Sequence, residues 1–263
     1  MTRLMPRLSL SALAPVAAVA ALMSAAAAQP VAAQGMQMSD DERAAFRAEI
    51  RSYLLENPDV IFEAVAEFER RNAAAQADMD ITLVEINADE IFHDGHSWVG
   101  GNPDGDLTLV EFMDYRCSFC ARAYPHVMDF VQNDGNVRLV IKEFPILGPQ
   151  SEVMSRFAIA VQHLGEPAQY EEIHGRLIGW EGDFTETSAR LLADELGLDP
   201  EAVLAEMRAD SVTQVLVTNR ELAQRLQISG TPTFVLGTGE RGEMLRGFLP
   251  ADEMRGRAAD MRG

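Results

Sequence analysis

The sequence predicts an α/β fold in which neighbouring parallel strands are joined through helices, and three observations support that prediction. An apolar strand at Leu107–Met113, a helical stretch at Ala121–Gln132 and a second strand at Val137–Phe144 form a βαβ unit. Residues 151–227 then show apolar residues at helical spacing almost throughout. Strand character returns at Thr233–Leu236, close to the C-terminus.

The composition narrows the classes of function. The 263 residues include 41 acidic and 22 basic side chains, which gives a formal net charge of −19. That charge argues against nucleic acid and anionic membrane surfaces as partners. A chain of this length can bury a sizeable core without disulfide staples, so its 2 cysteines, Cys117 and Cys120, are the most informative count.

Residues 1–33 have the layout of a secretory signal peptide. Arg3 and Arg7 precede an apolar stretch that runs to about Ala28, and small residues suitable for cleavage lie near positions 28 and 33. An uncleaved membrane anchor is the alternative, but the alanine-rich stretch is only mildly apolar, which favours cleavage. We therefore expect an exported, soluble, periplasmic protein in an oxidising space where disulfides persist.

Residues 39–78 are predicted to form an N-terminal helical arm of two helices. Ser39 suits the cap of the first helix, and Asn57-Pro58 suits the start of the second. The two helices share an apolar stripe of Phe46, Ile50, Leu54, Ile61, Val65 and Phe68. The stripe predicts packing onto the main domain or self-association into a homo-oligomer, and the linker-like stretch Asn72–Asp78 favours the second.

The main domain is predicted to span residues 79–263. Ile81–Ile86 has the composition of a strand, and Gly100–Gly105 has that of a loop. Near the C-terminus, Met244–Arg246 follows a glycine-rich turn as a further strand, and a short helix begins at about Ala251.

The motif Cys117-Ser118-Phe119-Cys120 lies where a strand gives way to a helix. Unpaired N–H groups and the dipole at a helix N-terminus favour negative charge, and the thiolate is the nucleophilic form of cysteine. Cys120 follows three residues later, close enough to attack a mixed disulfide on Cys117. Arg116 adds a positive charge next to the nucleophile. The pattern therefore predicts thiol–disulfide exchange.

Two other uses of the cysteine pair stay open. A purely structural disulfide would close only a small loop and would remove little entropy from the unfolded chain. A Cys₂His₂ zinc site can be written with His93 and His96, about 20 residues upstream. The other histidines, His126, His163 and His174, are scattered and are expected to be surface or ordinary structural residues.

Gly230–Phe234 forms a second signature, about 110 residues after the cysteine pair. A proline at the opening of a strand is unusual inside a sheet. It is explained if the peptide bond before Pro232 is cis and the turn faces the cysteines. Thr231 would then offer its backbone N–H and C=O groups to an extended substrate chain.

Three segments together resemble the exported DsbA-like thiol–disulfide oxidoreductases of the thioredoxin superfamily, namely Val110–Cys120, Lys142–Pro145 and Gly230–Phe234. The resemblance covers roughly residues 90–260. It implies a thioredoxin fold with a helical insertion at 148–212, and it implies no cofactor and no metal beyond the cysteine pair itself.

The resemblance also implies roles for individual residues. Cys117 would be the nucleophile, Cys120 the buried resolving cysteine and Pro232 the cis proline. Glu111 matches the family's buried acid beside the cysteines, which would pass protons to and from Cys120. A strand glutamate that faces a polar edge is the alternative interpretation of Glu111.

Tyr53–Ile61 resembles the helical extension of the ScsC-like and Com1-like branch, in some members of which the extension drives oligomerisation. The family usually has proline after the first cysteine, where this chain has Ser118. Because the dipeptide between the cysteines tunes the reduction potential, oxidase, isomerase and reductase activities all stay open.

The resulting hypothesis is an exported enzyme that exchanges disulfides with protein thiols and is turned over by a membrane redox partner. The alternative is a metal-tolerance protein that binds copper or zinc through Cys117 and Cys120. A third hypothesis is a non-catalytic holdase in which the helical arm binds the client protein.

Overall fold

The computed structural model describes residues 38–263. The predicted signal peptide, residues 1–33, therefore lies outside the described residues. The chain divides into two compact units, Met1–Phe62 and Glu63–Gly263. Among residues 38–263, no helix combines the length and the apolar character that crossing a bilayer requires.

The first unit contains helix α1, Asp40–Glu56. The Ser39 hydroxyl accepts a hydrogen bond from the Glu42 backbone N–H, and the Glu42 carboxylate accepts one from the Ser39 backbone N–H. This reciprocal capping box explains why the helix begins where the sequence predicts. No residue of α1 is buried; Phe46, Ile50 and Leu55 are exposed, and Leu54 is half-buried.

Helix α2 runs without a break over Asp59–Ile86, so two interpretations of the sequence are wrong. The stretch Asn72–Asp78 is not a linker, and Ile81–Ile86 is not a strand, because both are helical. The first stretch is rich in alanine, the best helix former. In the second, Val84 is fully buried, and such packing outweighs the strand propensity of β-branched residues. The predicted domain start, Met79, therefore lies inside a helix.

The described residues contain eight further helices. They are α3 Ala88–Phe92, α4 Ser118–Asp134, α5 Pro149–Leu164, α6 Pro167–Ile178, α7 Glu186–Glu195, α8 Pro200–Glu206, α9 Asp210–Arg225 and α10 Ala251–Arg262. Helices α5 to α8 occupy the segment that the resemblance assigned to a helical insertion, and α10 is the C-terminal helix that the sequence predicts.

Five strands form one sheet in the order β1-β3-β2-β4-β5. Their bounds are Trp98–Gly101 for β1, Leu107–Met113 for β2, Val137–Glu143 for β3, Thr233–Gly237 for β4 and Gly242–Arg246 for β5. Strands β2 and β3 are parallel, as the βαβ pattern predicts, and the other neighbours pair antiparallel. The sequence did not predict β1, whose last two residues belong to the segment interpreted as a loop.

The sheet separates two apolar clusters. Successive side chains of a strand point to opposite faces, so Leu109 of β2 and Ile141 of β3 join one cluster, whereas Val110 joins the other. Because an apolar cluster packs on each face of the sheet, the sequences of the central strands are almost continuously apolar. Three buried charged residues interrupt these sequences, Glu111, Lys142 and Glu143. The alternation of side chains places the two glutamates on the face of Leu109 and Lys142 on the opposite face.

Candidate active site

The two cysteines lie at the junction of β2 and α4, as the sequence predicts. Cys117 is the N-cap residue of α4, with an extended backbone, and both cysteines are free thiols. Cys117 retains 6% of its surface and Cys120 retains 0%, because Cys120 lies one helical turn deeper, within the same apolar cluster as Leu109. An incoming thiol or disulfide therefore meets Cys117 first.

The cis-proline turn lies against Cys117. The peptide bond Thr231–Pro232 is cis, as the sequence predicts. The Cys117 Sγ atom donates a hydrogen bond to the Thr231 carbonyl oxygen at 3.1 Å. On the other side, the Gly247 N–H donates to the Pro232 carbonyl at 2.9 Å and holds the turn in place. The backbone of Thr231 is therefore fixed beside the thiol.

Asp114 fixes the loop that leads into Cys117, a role that the sequence analysis missed. Its fully buried carboxylate accepts hydrogen bonds from the backbone N–H groups of Arg116 at 2.7 Å, Ile146 at 2.7 Å and Leu147 at 3.0 Å. Its carbonyl accepts one from the Cys117 N–H at 3.0 Å. Asp114 thus ties the loop before the cysteines to the loop after β3.

Glu111 is a buried acid coupled to Cys120. It is 3% exposed in a central strand, so the alternative interpretation of a glutamate at a polar edge is wrong. Burial, together with the negative charge of Glu143, raises the pKa of Glu111 to about 8. Burial also raises the pKa of Cys120, and the charge of Glu111 raises it further. A carboxyl that titrates near neutral pH beside a buried thiol is suited to proton transfer.

A second buried acid lies on the same face of the sheet. Glu143 accepts hydrogen bonds from the hydroxyls of Tyr115 at 2.8 Å, Tyr170 at 2.7 Å and Ser155 at 2.7 Å. His174 is also buried, with Nδ1 3.0 Å from the Tyr115 hydroxyl, and burial lowers its pKa to about 4. Glu143 stands in the motif Lys142–Pro145, but only the tertiary fold brings its three hydroxyl partners, and His174 behind Tyr115, to it.

A groove of about 410 Å³ borders Cys117 and is lined by residues of the loop that follows α6. Arg116 lies along this groove, and its guanidinium donates hydrogen bonds to the carbonyl oxygens of Trp180 and Gly182. The charge that the sequence placed beside the nucleophile therefore holds the loop that forms one wall of the groove.

The residues of the proposed zinc site are not assembled. Within residues 38–263, no group of three or more His, Cys, Asp or Glu side chains is placed to hold a metal ion. His96 Nε2 lies 3.0 Å from the Asp94 carboxylate and 3.3 Å from Asn219 Oδ1, and His93 is exposed. The two histidines therefore do not complete a Cys₂His₂ set.

Comparison with known proteins decides the family. The family described as "DSBA-like thioredoxin domain" matches residues 108–258, which is more than half of the chain. This chain belongs to the DsbA-like family. The family described as "Copper resistance protein ScsC N-terminal domain" matches residues 42–75, within the predicted helical arm. Proteins that resemble this DsbA-like chain in structure include one described as a thioredoxin-like oxidoreductase and one described as a thiol-disulfide exchange protein.

Solved structures agree with this assignment. A thioredoxin-like oxidoreductase from Silicibacter pomeroyi is 38% identical with a TM-score of 0.60, over 66% of this chain and 96% of that chain. BcfH from Salmonella enterica Typhimurium is 26% identical with a TM-score of 0.71, over 85% and 97% of the two chains. ScsC from Proteus mirabilis is 24% identical with a TM-score of 0.60, over 86% and 97%, and this likeness shows the fold alone.

Curated proteins match only in part. The Na(+)/H(+) antiporter NhaA 1 of Salinispora arenicola is 25% identical over 138 residues, which are 52% of this DsbA-like chain and 21% of the antiporter. NhaA of Herminiimonas arsenicoxydans is 27% identical over 202 residues, which are 73% and 28% of the two proteins. The chain thus spans less than a third of the length of these curated relatives.

Proposed function

We propose that this chain is an exported thiol–disulfide oxidoreductase that exchanges disulfides with cysteines of protein substrates through Cys117 and Cys120. The placement of the Cys117 thiol 3.1 Å from the Thr231 carbonyl, with Cys120 buried behind it, is the observation that carries the proposal. A substrate strand aligned with the backbone of Thr231 would bring its own sulfur to Cys117. Export follows from the signal-peptide layout of residues 1–33, and a membrane redox partner recycles the pair.

The exchange needs no bound cofactor. The Cys117 thiolate attacks a substrate disulfide, a bond from Cys117 to one substrate sulfur forms, and the other substrate sulfur leaves and takes up a proton. Cys120 then loses its proton to Glu111 and attacks the Cys117 sulfur, so that the internal disulfide forms and the substrate leaves. The substrate gains the two electrons that the cysteine pair loses. The reverse steps oxidise a substrate, and the reduction potential of the pair sets the direction.

The surface around Cys117 favours an extended polypeptide as the substrate. Three large apolar side chains are exposed in this region, those of Phe119, Ile146 and Leu147. Phe119 lies within the cysteine motif, and the backbone N–H groups of Ile146 and Leu147 donate to Asp114 in the loop before it. The groove beside Cys117 is lined by Ser118, the sequence neighbour of Phe119, and by Trp180 and other residues of the loop after α6. An apolar rim beside the backbone of Thr231 suits an unfolded chain better than a small molecule.

The test measures exchange in both directions with the full chain. Reduced protein is mixed with insulin, and oxidised protein is mixed with a reduced peptide that contains two cysteines. We expect exchange in at least one direction, a loss of about 100-fold or more in Cys117→Ala, and accumulation of mixed disulfides in Cys120→Ala. Absence of exchange in both directions would contradict the proposal, and stoichiometric Cu(I) binding under those conditions would favour the soft-metal alternative.

We also propose that residues 39–78 bind a second copy of this chain. Helix α1 buries none of its residues, and the stripe residues Phe46, Ile61 and Phe68 are at least half exposed. An isolated helix without buried side chains is marginal in water, and burial of its apolar stripe against a partner would stabilise it. A second copy supplies the same stripe and can bury it reciprocally.

A further inference from the structure

The Glu143 carboxyl is the centre of a buried polar cluster that comprises Glu143, Tyr115, Tyr170, Ser155 and His174. The two tyrosine hydroxyls donate to Glu143 Oε1 at 2.8 and 2.7 Å, and the Ser155 hydroxyl donates to Oε2 at 2.7 Å. Since Tyr115 gives its proton to Glu143, the proton of the 3.0 Å bond between His174 and Tyr115 sits on His174 Nδ1. Three donors on one carboxyl group stabilise the carboxylate over the neutral acid.

Glu143 and Glu111 are diagonal neighbours on one face of the sheet. In the parallel pairing of β2 and β3, Glu111 lies opposite Ile141, and Met113 lies opposite Glu143. The alternation of side chains puts all four residues on the same face. No other strand lies between the two carboxyl groups, because β2 and β3 are adjacent in the sheet.

The three hydroxyl donors distinguish the two acids. Burial raises the pKa of Glu143 to about 7, and the hydrogen bonds from Tyr170, Ser155 and Tyr115 oppose that rise. Burial raises the pKa of Glu111 to about 8, and the charge of Glu143 contributes to that rise. Glu143 therefore ionises first, and its charge makes Glu111 a stronger base.

Residues of β4, α5, the active-site loop, α4 and α6 surround Glu111 and Glu143. Strand β4 places Phe234 opposite Glu111, and α5 contributes Ser155. The titratable groups that face the two acids from the active-site loop, α4 and α6 are Asp114, Tyr115, Cys117, Cys120, Tyr170 and His174. The charge of Glu111 acts on two of these groups, Cys120 and Tyr170, and only Cys120 takes part in the exchange.

We propose that Glu143 is a positioning residue for the resolving step, because its charge, fixed by three hydroxyl donors, makes the Glu111 carboxylate a stronger base towards the Cys120 proton. The inference rests on the proposed function. In that step the Cys120 S–H bond breaks and the proton goes to the Glu111 carboxylate. The Cys120–Cys117 disulfide forms while the bond from Cys117 to the substrate sulfur breaks, and solvent protonates the departing substrate thiolate.

Glu143→Gln tests the inference in the full chain, in its reduced form. Glutamine keeps the volume and an acceptor oxygen but has no charge. We expect the pH at which Glu111 ionises to fall by about 1 to 2 units, as read from the infrared band of its protonated carboxyl after subtraction of the Glu111→Gln spectrum. Glu221→Gln, an exposed change on α9, is the matched control and leaves the titration where it was. An unmoved Glu111 titration in Glu143→Gln overturns the inference.

A kinetic measurement links the titration to Cys120. Oxidised glutathione forms a mixed disulfide with Cys117, and attack by Cys120 then releases glutathione. We expect the pH profile of that release to move down together with the Glu111 titration in Glu143→Gln. A titration that moves while the release profile does not overturns the role in the resolving step. If the wild-type protein exchanges disulfides with neither insulin nor the two-cysteine peptide, the proposed function fails, whereas the infrared titration still decides whether Glu143 governs Glu111.

Ser155→Ala provides a second variant if Glu143→Gln does not fold. Loss of one donor raises the pKa of Glu143, so less of Glu143 is ionised at a given pH. The Glu111 titration should then move in the same direction as in Glu143→Gln, by about half a unit. A shift to higher pH, or no shift, contradicts the inference.

Discussion

The Cys117 Sγ atom and the Thr231 carbonyl oxygen are joined by a 3.1 Å hydrogen bond that exists only while Cys117 holds its proton. A thiolate cannot donate, so ionisation of Cys117 releases the carbonyl. The freed carbonyl can then accept a backbone N–H from a substrate strand. In the proposed mechanism, activation of the nucleophile and docking of the substrate therefore occur at the same pair of atoms.

The first prediction concerns the order in which the two thiols react. Because Cys117 retains some surface and Cys120 retains none, iodoacetamide should modify Cys117 at least about 10-fold faster in the reduced, folded protein. Peptide mass spectrometry after short reaction times gives both rates. In denaturant the two rates should become similar, which serves as the control. Faster modification of Cys120 in the folded protein would reverse the assigned roles.

The second prediction concerns Glu111 and the dependence of stability on pH. An unfolded glutamate ionises near pH 4.3, whereas folded Glu111 has a pKa of about 8. Between these values the unfolded chain loses the proton that the folded protein keeps, so rising pH lowers the free energy of unfolding of the wild-type protein. Glutamine does not titrate, and Glu111→Gln should therefore gain stability relative to the wild type across that window, up to about 5 kcal/mol.

Urea unfolding of the reduced wild-type protein and of Glu111→Gln over a range of pH checks this prediction. The difference in free energy of unfolding should grow from about pH 5 and level off above about pH 8. Glu221→Gln, exposed on α9, is the control and should give a difference that does not grow in this way. A difference between Glu111→Gln and wild type that is constant with pH would show that Glu111 ionises as an ordinary glutamate.

The third prediction concerns Asp114. In Asp114→Asn, one amide oxygen can still accept the Arg116 N–H, but the NH₂ group faces the N–H groups of Ile146 and Leu147 and loses both bonds. We expect the free energy of unfolding to fall by about 2 to 4 kcal/mol, with a slower reaction of Cys117. Asp194→Asn, an exposed change on α7, should leave both unchanged. Equal free energies of unfolding for the wild type and Asp114→Asn would mean that the hydrogen bonds to the Asp114 carboxylate contribute little to stability.

Much of the fold could be predicted because its signals are local. The βαβ unit around the cysteines, the strand after Pro232 and the helix-rich insertion are all visible as periodicity, and the structure confirms each. The errors fall where local propensity and tertiary packing disagree. Ile81–Ile86 looks like a strand by composition, yet Val84 is buried as part of a helix. Strand β1 is short and contains two glycines, so its sequence has little strand propensity. Its pairing with β3 stabilises the strand instead.

Some residues of the candidate site could also be predicted from the sequence, whereas others are brought to it only by tertiary contacts. The Cys-x-x-Cys pair and the cis proline are contiguous motifs, so the sequence could place them. Glu143 and His174 are 31 residues apart and meet through Tyr115 only when the insertion helices fold over the sheet. Asp114 lies inside a quoted motif, but its partners are backbone N–H groups, which carry no sequence signal.

The last prediction concerns the helical arm. If a second copy covers the stripe, the chain from residue 34 onwards should be an oligomer by light scattering. The double change Phe46→Ser with Phe68→Ser should shift the mass towards the monomer, because each buried aromatic side chain contributes roughly 1.5–3 kcal/mol. Leu191→Ser, at an exposed apolar position on α7, is the matched control and should leave the mass unchanged.

Two outcomes would count against the arm as an interface. A monomeric wild-type chain would remove the second copy. It would also favour oxidase activity over isomerase or reductase activity, because two Cys117 sites could then not act together on one misfolded substrate. An oligomer that keeps its mass in the double variant would place the interface outside the stripe. Circular dichroism of the variants separates these cases from loss of folding, because α1 and the first turns of α2 make up a small part of the helical residues. A true loss of the interface therefore leaves most of the helical signal and the reactivity of Cys117 intact while the mass falls.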